Sequence, residues 1–139
     1  MSERQHKPPR PIPRPCRTTA PFWEAAKQHK LVLQYDPDTD RYQFWPRPAS
    51  VRTGRANLQW KEASGKGRLY SFTNTFVAAP GFEERVPYLV GIVELDEGVR
   101  VFSNLVNVAA ADVEIGMKMR VVWETLSPEI EFFAFEPDR

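Results

Sequence analysis

From Gly67 onward the chain runs in steps of two. Arg68 to Val77 alternates Leu69, Ser71, Thr73 and Thr75 with Tyr70, Phe72, Asn74 and Phe76, the period of an extended strand with one aromatic face. Pro87–Glu94, Arg100–Val106, Lys118–Thr125 and Glu131–Phe135 complete a set of five predicted strands. Asp96-Glu97-Gly98 supplies a hairpin turn between the second and third. Ala109–Ile115 has room for one helical turn, and Gly116 leads back into the sheet. Five strands with a helix-sized connection between the third and fourth is the order of an OB barrel. At 139 residues the chain has room for one such domain and a small appendage. On the fourth strand Met119, Val121 and Trp123 share one face, and Lys118, Arg120 and Val122 the other; alternation alone leaves open which face turns inward.

The segment before the barrel reads differently. Thr18 and Thr19 offer hydroxyls to cap a helix, and Pro21 sits where its missing N–H costs nothing, so a helix is expected from Ala20 to Gln28. Phe22, Trp23 and Ala26 give it one apolar side. Leu31–Tyr35 and Arg41–Trp45 then read as a hairpin around Asp36-Pro37-Asp38-Thr39-Asp40, and a second hairpin is expected to join the Ser50-Val51-Arg52-Thr53 turn to Leu58-Gln59-Trp60. Upstream, Lys7 to Pro15 alternates proline with basic and apolar residues, which favours polyproline II and predicts a mobile arm over residues 1–18. Such an arm is either a solvated tail or a strap along a partner; the Pro8-to-Pro11 spacing as an SH3-type ligand is a weak signal.

Taken in order, Pro21-Phe22-Trp23-Glu24-Ala25, Leu31-Val32-Leu33-Gln34, Arg41-Tyr42-Gln43-Phe44, Pro46-Arg47-Pro48, Ser64-Gly65-Lys66-Gly67, Pro80-Gly81-Phe82, Val93-Glu94-Leu95-Asp96-Glu97-Gly98 and Ile115-Gly116-Met117 carry a resemblance. From Pro21 to Phe135 the chain resembles a family of small proteins with an N-terminal zinc ribbon and a C-terminal OB-fold, which work beside thiolases, acyl-CoA hydratases and related acyl-CoA enzymes. The resemblance implies a mainly β protein: an arm (1–18), a helix with a rubredoxin-like ribbon (19–63), and a five-stranded OB-fold barrel (64–139). Ribbons of this kind place Cys-x-x-Cys at both turns, because Zn²⁺ takes four soft ligands in a tetrahedron. Here the four positions are Asp36, Thr39, Ser50 and Thr53, and the only cysteine, Cys16, lies in the arm. Hydroxyls do not replace thiolates at neutral pH, so a degenerate, metal-free ribbon is expected. The folding free energy that zinc supplies, on the order of 10 kcal/mol, then has to come from the aromatic set Tyr35, Tyr42, Phe44, Trp45 and Trp60 and from turn hydrogen bonds.

Charge narrows the partners. Arg4, Lys7, Arg10, Arg14 and Arg17 against Glu3 give residues 1–17 a net +4, which leaves −3 for the remainder of a chain of formal charge +1. A mildly acidic folded part argues against nucleic acid, whose binding draws on clustered surface Lys and Arg. No apolar run approaches the 18 residues of a membrane span. The start, Met1-Ser2-Glu3-Arg4-Gln5-His6, lacks the apolar stretch of a secretion signal, so a cytoplasmic protein is expected. One cysteine excludes an internal disulfide.

No catalytic set can be assembled. His6 lies in the arm and His29 at a helix end, Glu83, Glu84, Glu94, Asp96 and Glu97 lie in or beside loops, and Ser64-Gly65-Lys66-Gly67 precedes a strand rather than a helix. Binding is what remains. Acyl-CoA wants cations for its phosphates and an aromatic face for adenine, a mixture that Arg41, Arg47, Arg52 and Arg55 with Trp45 and Trp60 would provide if they converge. Phe22, Trp23 and Phe82 are the candidate partner contacts, Phe82 on the longest inter-strand loop, Ala78–Val86. The resemblance therefore implies a non-catalytic accessory subunit, without cofactor, of a thiolase-like, aldolase-like or hydratase-like enzyme. A stand-alone acyl-CoA-binding module, and behind it a single-strand nucleic-acid binder, are the alternatives, and a homodimer is a further expectation.

Overall fold

The computed structural model describes residues 10–139; His6 and Lys7-Pro8-Pro9 lie outside the described residues. The N-terminal part holds helix α1 (Ala20–Lys27) and three strands, β1 (Val32–Asp36), β2 (Arg41–Gln43) and β3 (Gln59–Glu62). The C-terminal part holds β4 (Lys66–Thr75), β5 (Tyr88–Leu95), β6 (Arg100–Leu105), a 3₁₀ turn over Ala110–Asp112, β7 (Lys118–Ser127) and β8 (Ile130–Pro137). These five strands form a closed barrel in the order β4-β5-β6-β8-β7, the expected OB-fold. Among the described residues no helix is long and apolar enough to cross a membrane.

The expected apolar side of α1 is the buried one: Phe22, Trp23 and Ala26. Its start differs from expectation. Thr19 stands at the N-cap without a side-chain cap bond, because its hydroxyl turns back to accept from the Cys16 amide at 2.9 Å. The ribbon also pairs differently from two successive hairpins. β1 and β2 form the first, with Tyr35 opposite Tyr42. The Ser50 turn, however, is followed by a strand that adds to the other edge of β1, with Gln34 opposite Trp60, giving a three-stranded sheet in the order β2-β1-β3. β1 thus becomes the central strand, and Leu33, Gln34 and Asp36 are buried.

The barrel closes by short seams: β4 meets β7 over three residue pairs, and β6 meets β8 by a single parallel pair, Leu105 and Phe135. Met119 is fully buried, so the Met119, Val121 and Trp123 face turns inward. Gly67 lies in the first seam, opposite Leu95 on β5 and Met119 on β7. A Cβ there would overlap the Glu94 carbonyl oxygen, a contact that only a backbone shift relieves. Gly67→Ala is therefore expected to cost about 1–3 kcal/mol. An unchanged thermal midpoint would contradict this placement.

Candidate functional site

At the two ribbon turns, two of the four zinc-ligand positions, Asp36 and Ser50, bond each other. Asp36, fully buried at the end of β1, accepts the Ser50 hydroxyl at 2.5 Å on one carboxylate oxygen and the Asp38 amide at 2.9 Å on the other. Ser50 Oγ in turn accepts the amides of Arg52 at 3.1 Å and Thr53 at 3.2 Å, and Thr53 Oγ1 accepts the Arg55 amide at 3.2 Å. The Thr39 hydroxyl is buried without a partner at hydrogen-bonding geometry, yet it lies close enough to Asp36 to favour its charged form. The Ser50 hydroxyl, opposed by burial and helped by the Asp38 amide, holds the Asp36 carboxyl below the usual carboxylate range. Behind this staple Gln34 and Gln43 bridge the strands to the second turn: Gln34 exchanges bonds of 2.8 Å with the Arg47 backbone, and Gln43 Oε1 accepts the Val51 amide at 3.0 Å.

This donor set does not fit zinc. A structural site needs four converging donors, normally thiolate or imidazole; here one carboxylate and hydroxyls already hold each other and the turn amides. Among the described residues no group of three or more His, Cys, Asp or Glu side chains could hold a metal ion. One charged hydrogen bond joins the two turns where the metal would join them.

The ribbon arginines are drawn in different directions. Arg55 pairs with Asp38 at 2.7 Å, Arg52 donates to the Tyr42 carbonyl at 3.3 Å, and Arg41 and Arg47 are exposed. The aromatic set divides as well. Tyr35 packs on Tyr42 at 5.1 Å inside the ribbon, whereas Phe44 and Trp45 pack on Phe22 of α1 and Phe133 of β8, tying the ribbon to the barrel. Trp45 remains 42% exposed and Trp60 partly buried. Phe22 and Trp23 are enclosed by the chain itself, Trp23 stacking on Phe132 at 5.9 Å. His29 stacks on Trp123 at 5.5 Å with its imidazole 3.6 Å from Glu131.

Phe82 has a more specific setting. Its ring lies 5.3 Å from that of Tyr88, at the start of β5, and under the guanidinium of Arg10, 5.7 Å away. Arg10 also bonds Glu124 of β7 at 2.8 Å, so the described start of the arm is anchored across the barrel wall. Sequence reasoning found Phe82 through its loop but assigned no role to Arg10, Arg85, Tyr88 or Glu124, which only the barrel's curvature brings together.

A short helix, a ribbon sheet and a closed five-stranded barrel define an OB-fold protein with an appended ribbon. The model of the ChsH2 C-terminal OB-fold domain matches residues 60–124. The solved Ltp2-ChsH2(DUF35) aldolase contains a chain that superposes with a TM-score of 0.80 at 35% identity, covering 91% of this chain and 98% of that one. The probable enoyl-CoA hydratase alpha subunit of Thermomonospora curvata is 36% identical over 138 residues, 99% of this chain and 43% of that protein. A DUF35 domain-containing scaffold protein of Methanocaldococcus jannaschii is 36% identical over 66 residues, 48% of this chain and 47% of that protein. The chain spans less than half the length of these two relatives. It belongs to the DUF35 family that includes ChsH2.

Proposed function

We propose that this chain is a non-catalytic accessory subunit of an acyl-CoA-processing enzyme of the aldolase, thiolase or hydratase type. The observation that carries this reading is the near end-to-end match to a chain of an aldolase assembly. The described residues support it: at the ribbon the buried Asp36 carboxylate and the Ser50 hydroxyl are held by each other and by the turn amides. Residues 19–63 and 64–139 act as its two parts, with residues 1–18 as the arm. Phe22 and Trp23, being enclosed, lend the partner shape rather than contact; exposed Trp45, Tyr70, Phe72, Phe76 and Phe102 are among the aromatic surface on offer. Acyl-CoA contact through Arg41, Arg47, Arg52 and Arg55 with Trp45 and Trp60 belongs to the same proposal; Arg52 and Arg55 keep further N–H donors for it beside their bonds to Tyr42 and Asp38.

Turnover assays test the division of labour. The purified chain alone is expected to leave acyl-CoA substrates unchanged, while its addition alters turnover by the enzyme that binds it. Substrate consumption by the chain alone would overturn the non-catalytic reading.

A further inference from the structure

We propose that the groove between the Phe82 loop, the β5–β6 hairpin and Arg10 binds a small amphiphilic carboxylate, a short apolar chain or single ring with one negative charge. The inference is independent of the accessory-subunit reading. The groove has a volume of about 280 Å³, just under the roughly 300–1,000 Å³ of small-molecule sites. It accommodates a chain of about eight carbons and is too small for a whole coenzyme. Its floor is apolar, built from the buried Leu89 and Leu105, and its wall is the Phe82–Tyr88 ring pair. Strands two and three of the barrel and the loop joining strands one and two, the region where OB-folds place their ligands, form most of it, completed by Glu124 of β7 and by Arg10.

Charge selects the head group. Among the described residues Arg10, Arg85 and Glu124 are the ionised side chains lining the groove, leaving one positive charge unmatched. Arg10 commits one N–H to Glu124 and keeps its side chain 13% exposed, so its remaining donors face the groove region from a fixed position. Arg85 at the rim makes no ion pair among the described residues. Glu83 on the same loop turns away to accept the Gly81 amide at 2.9 Å. A carboxylate between the two guanidiniums gains charge-assisted hydrogen bonds while its tail covers Leu89 and Leu105. A dianionic phosphate would exceed the available charge.

The test is a titration of the full-length protein with octanoate, 1-octanol and octanoyl-CoA, followed by amide chemical shifts and calorimetry. Octanoate is expected to shift Phe82, Leu89 and Leu105 and to bind at least about tenfold tighter than octanol, the usual scale of one charge-assisted bond. Octanoyl-CoA, with no free carboxylate on its chain, is expected to bind there no better than octanol. Arg85→Ala, an exposed change that spares the fold, is expected to bring octanoate down to the octanol level and leave octanol unaltered. Phe82→Ala is expected to weaken both. Equal binding of octanoate and octanol, tighter octanoyl-CoA binding, shifts confined to other surfaces, no measurable binding, or an Arg85→Ala protein with unchanged octanoate affinity would each overturn the proposal.

Discussion

Replacing Phe133 with alanine is expected to cost about 3–5 kcal/mol. At roughly 4 °C per kcal/mol for a chain of this size, the thermal midpoint falls by about 12–20 °C. The reason lies in what the ring joins. Phe133 on β8 is 1% exposed, and its ring centroid lies within 6.2 Å of Phe22, Phe44, Trp45, Phe132 and Phe135. Helix, ribbon and barrel all meet there. Its removal opens a cavity between elements that are otherwise tied by few strand contacts, and the aromatic edge-to-face geometry is lost with the buried area. Trp45 loses its support on the same side, so tryptophan emission is expected to shift to longer wavelength in the folded variant. A midpoint drop under about 4 °C, one kcal/mol on this scale, would show that ribbon and barrel are held by other contacts.

Ser50→Ala is expected to uncouple the ribbon while sparing the barrel. Asp36 would keep its buried carboxylate and the Asp38 amide but lose the hydroxyl donor, and the amides of Arg52 and Thr53 would lose their acceptor. The folded Asp36 carboxyl titrates below its unfolded value, so its contribution to stability is fully present above about pH 3.9 and is lost as pH falls through the lowered folded value. Since Ser50 is the chief cause of that lowering, Ser50→Ala is expected to move the acid limit of the ribbon upward. The reporters are the amide resonances of residues 32–36 and 59–62 during an acid titration, with the barrel amides as internal control. EDTA is expected to leave both proteins unchanged, and added zinc to stabilise neither. Ribbon resonances lost on chelation, or an acid limit unaffected by Ser50→Ala, would contradict the staple.

How much of this was legible in the sequence follows the range of the interactions. β4 to β8 could be placed within about two residues because period-2 alternation and turn glycines are local signals; Gly98, at φ 89°, closes the β5–β6 turn as Asp96-Glu97-Gly98 implied. The apolar side of α1 was equally local. The turn hydrogen bonds were legible in kind, since Asp36 and Ser50 are residues that bond nearby backbone. That they bond each other across 14 residues needed the folded sheet. The pairing of Gln59–Glu62 with β1, the single parallel pair between β6 and β8, and the inward face of β7 depend on contacts that no local pattern encodes. Arg10 illustrates the same limit at the site. In a proline-rich tract it reads as a solvated charge, and only the fold sets Glu124 2.8 Å from it.

Affinity purification of the tagged chain from its native cells, with quantitative mass spectrometry of what survives a salt wash, tests the accessory-subunit reading most directly. The reading predicts a thiolase-type, aldolase-type or hydratase-type enzyme recovered in equal molar amount with the chain. Recovery of the chain alone, from cells shown to contain such enzymes, would contradict it.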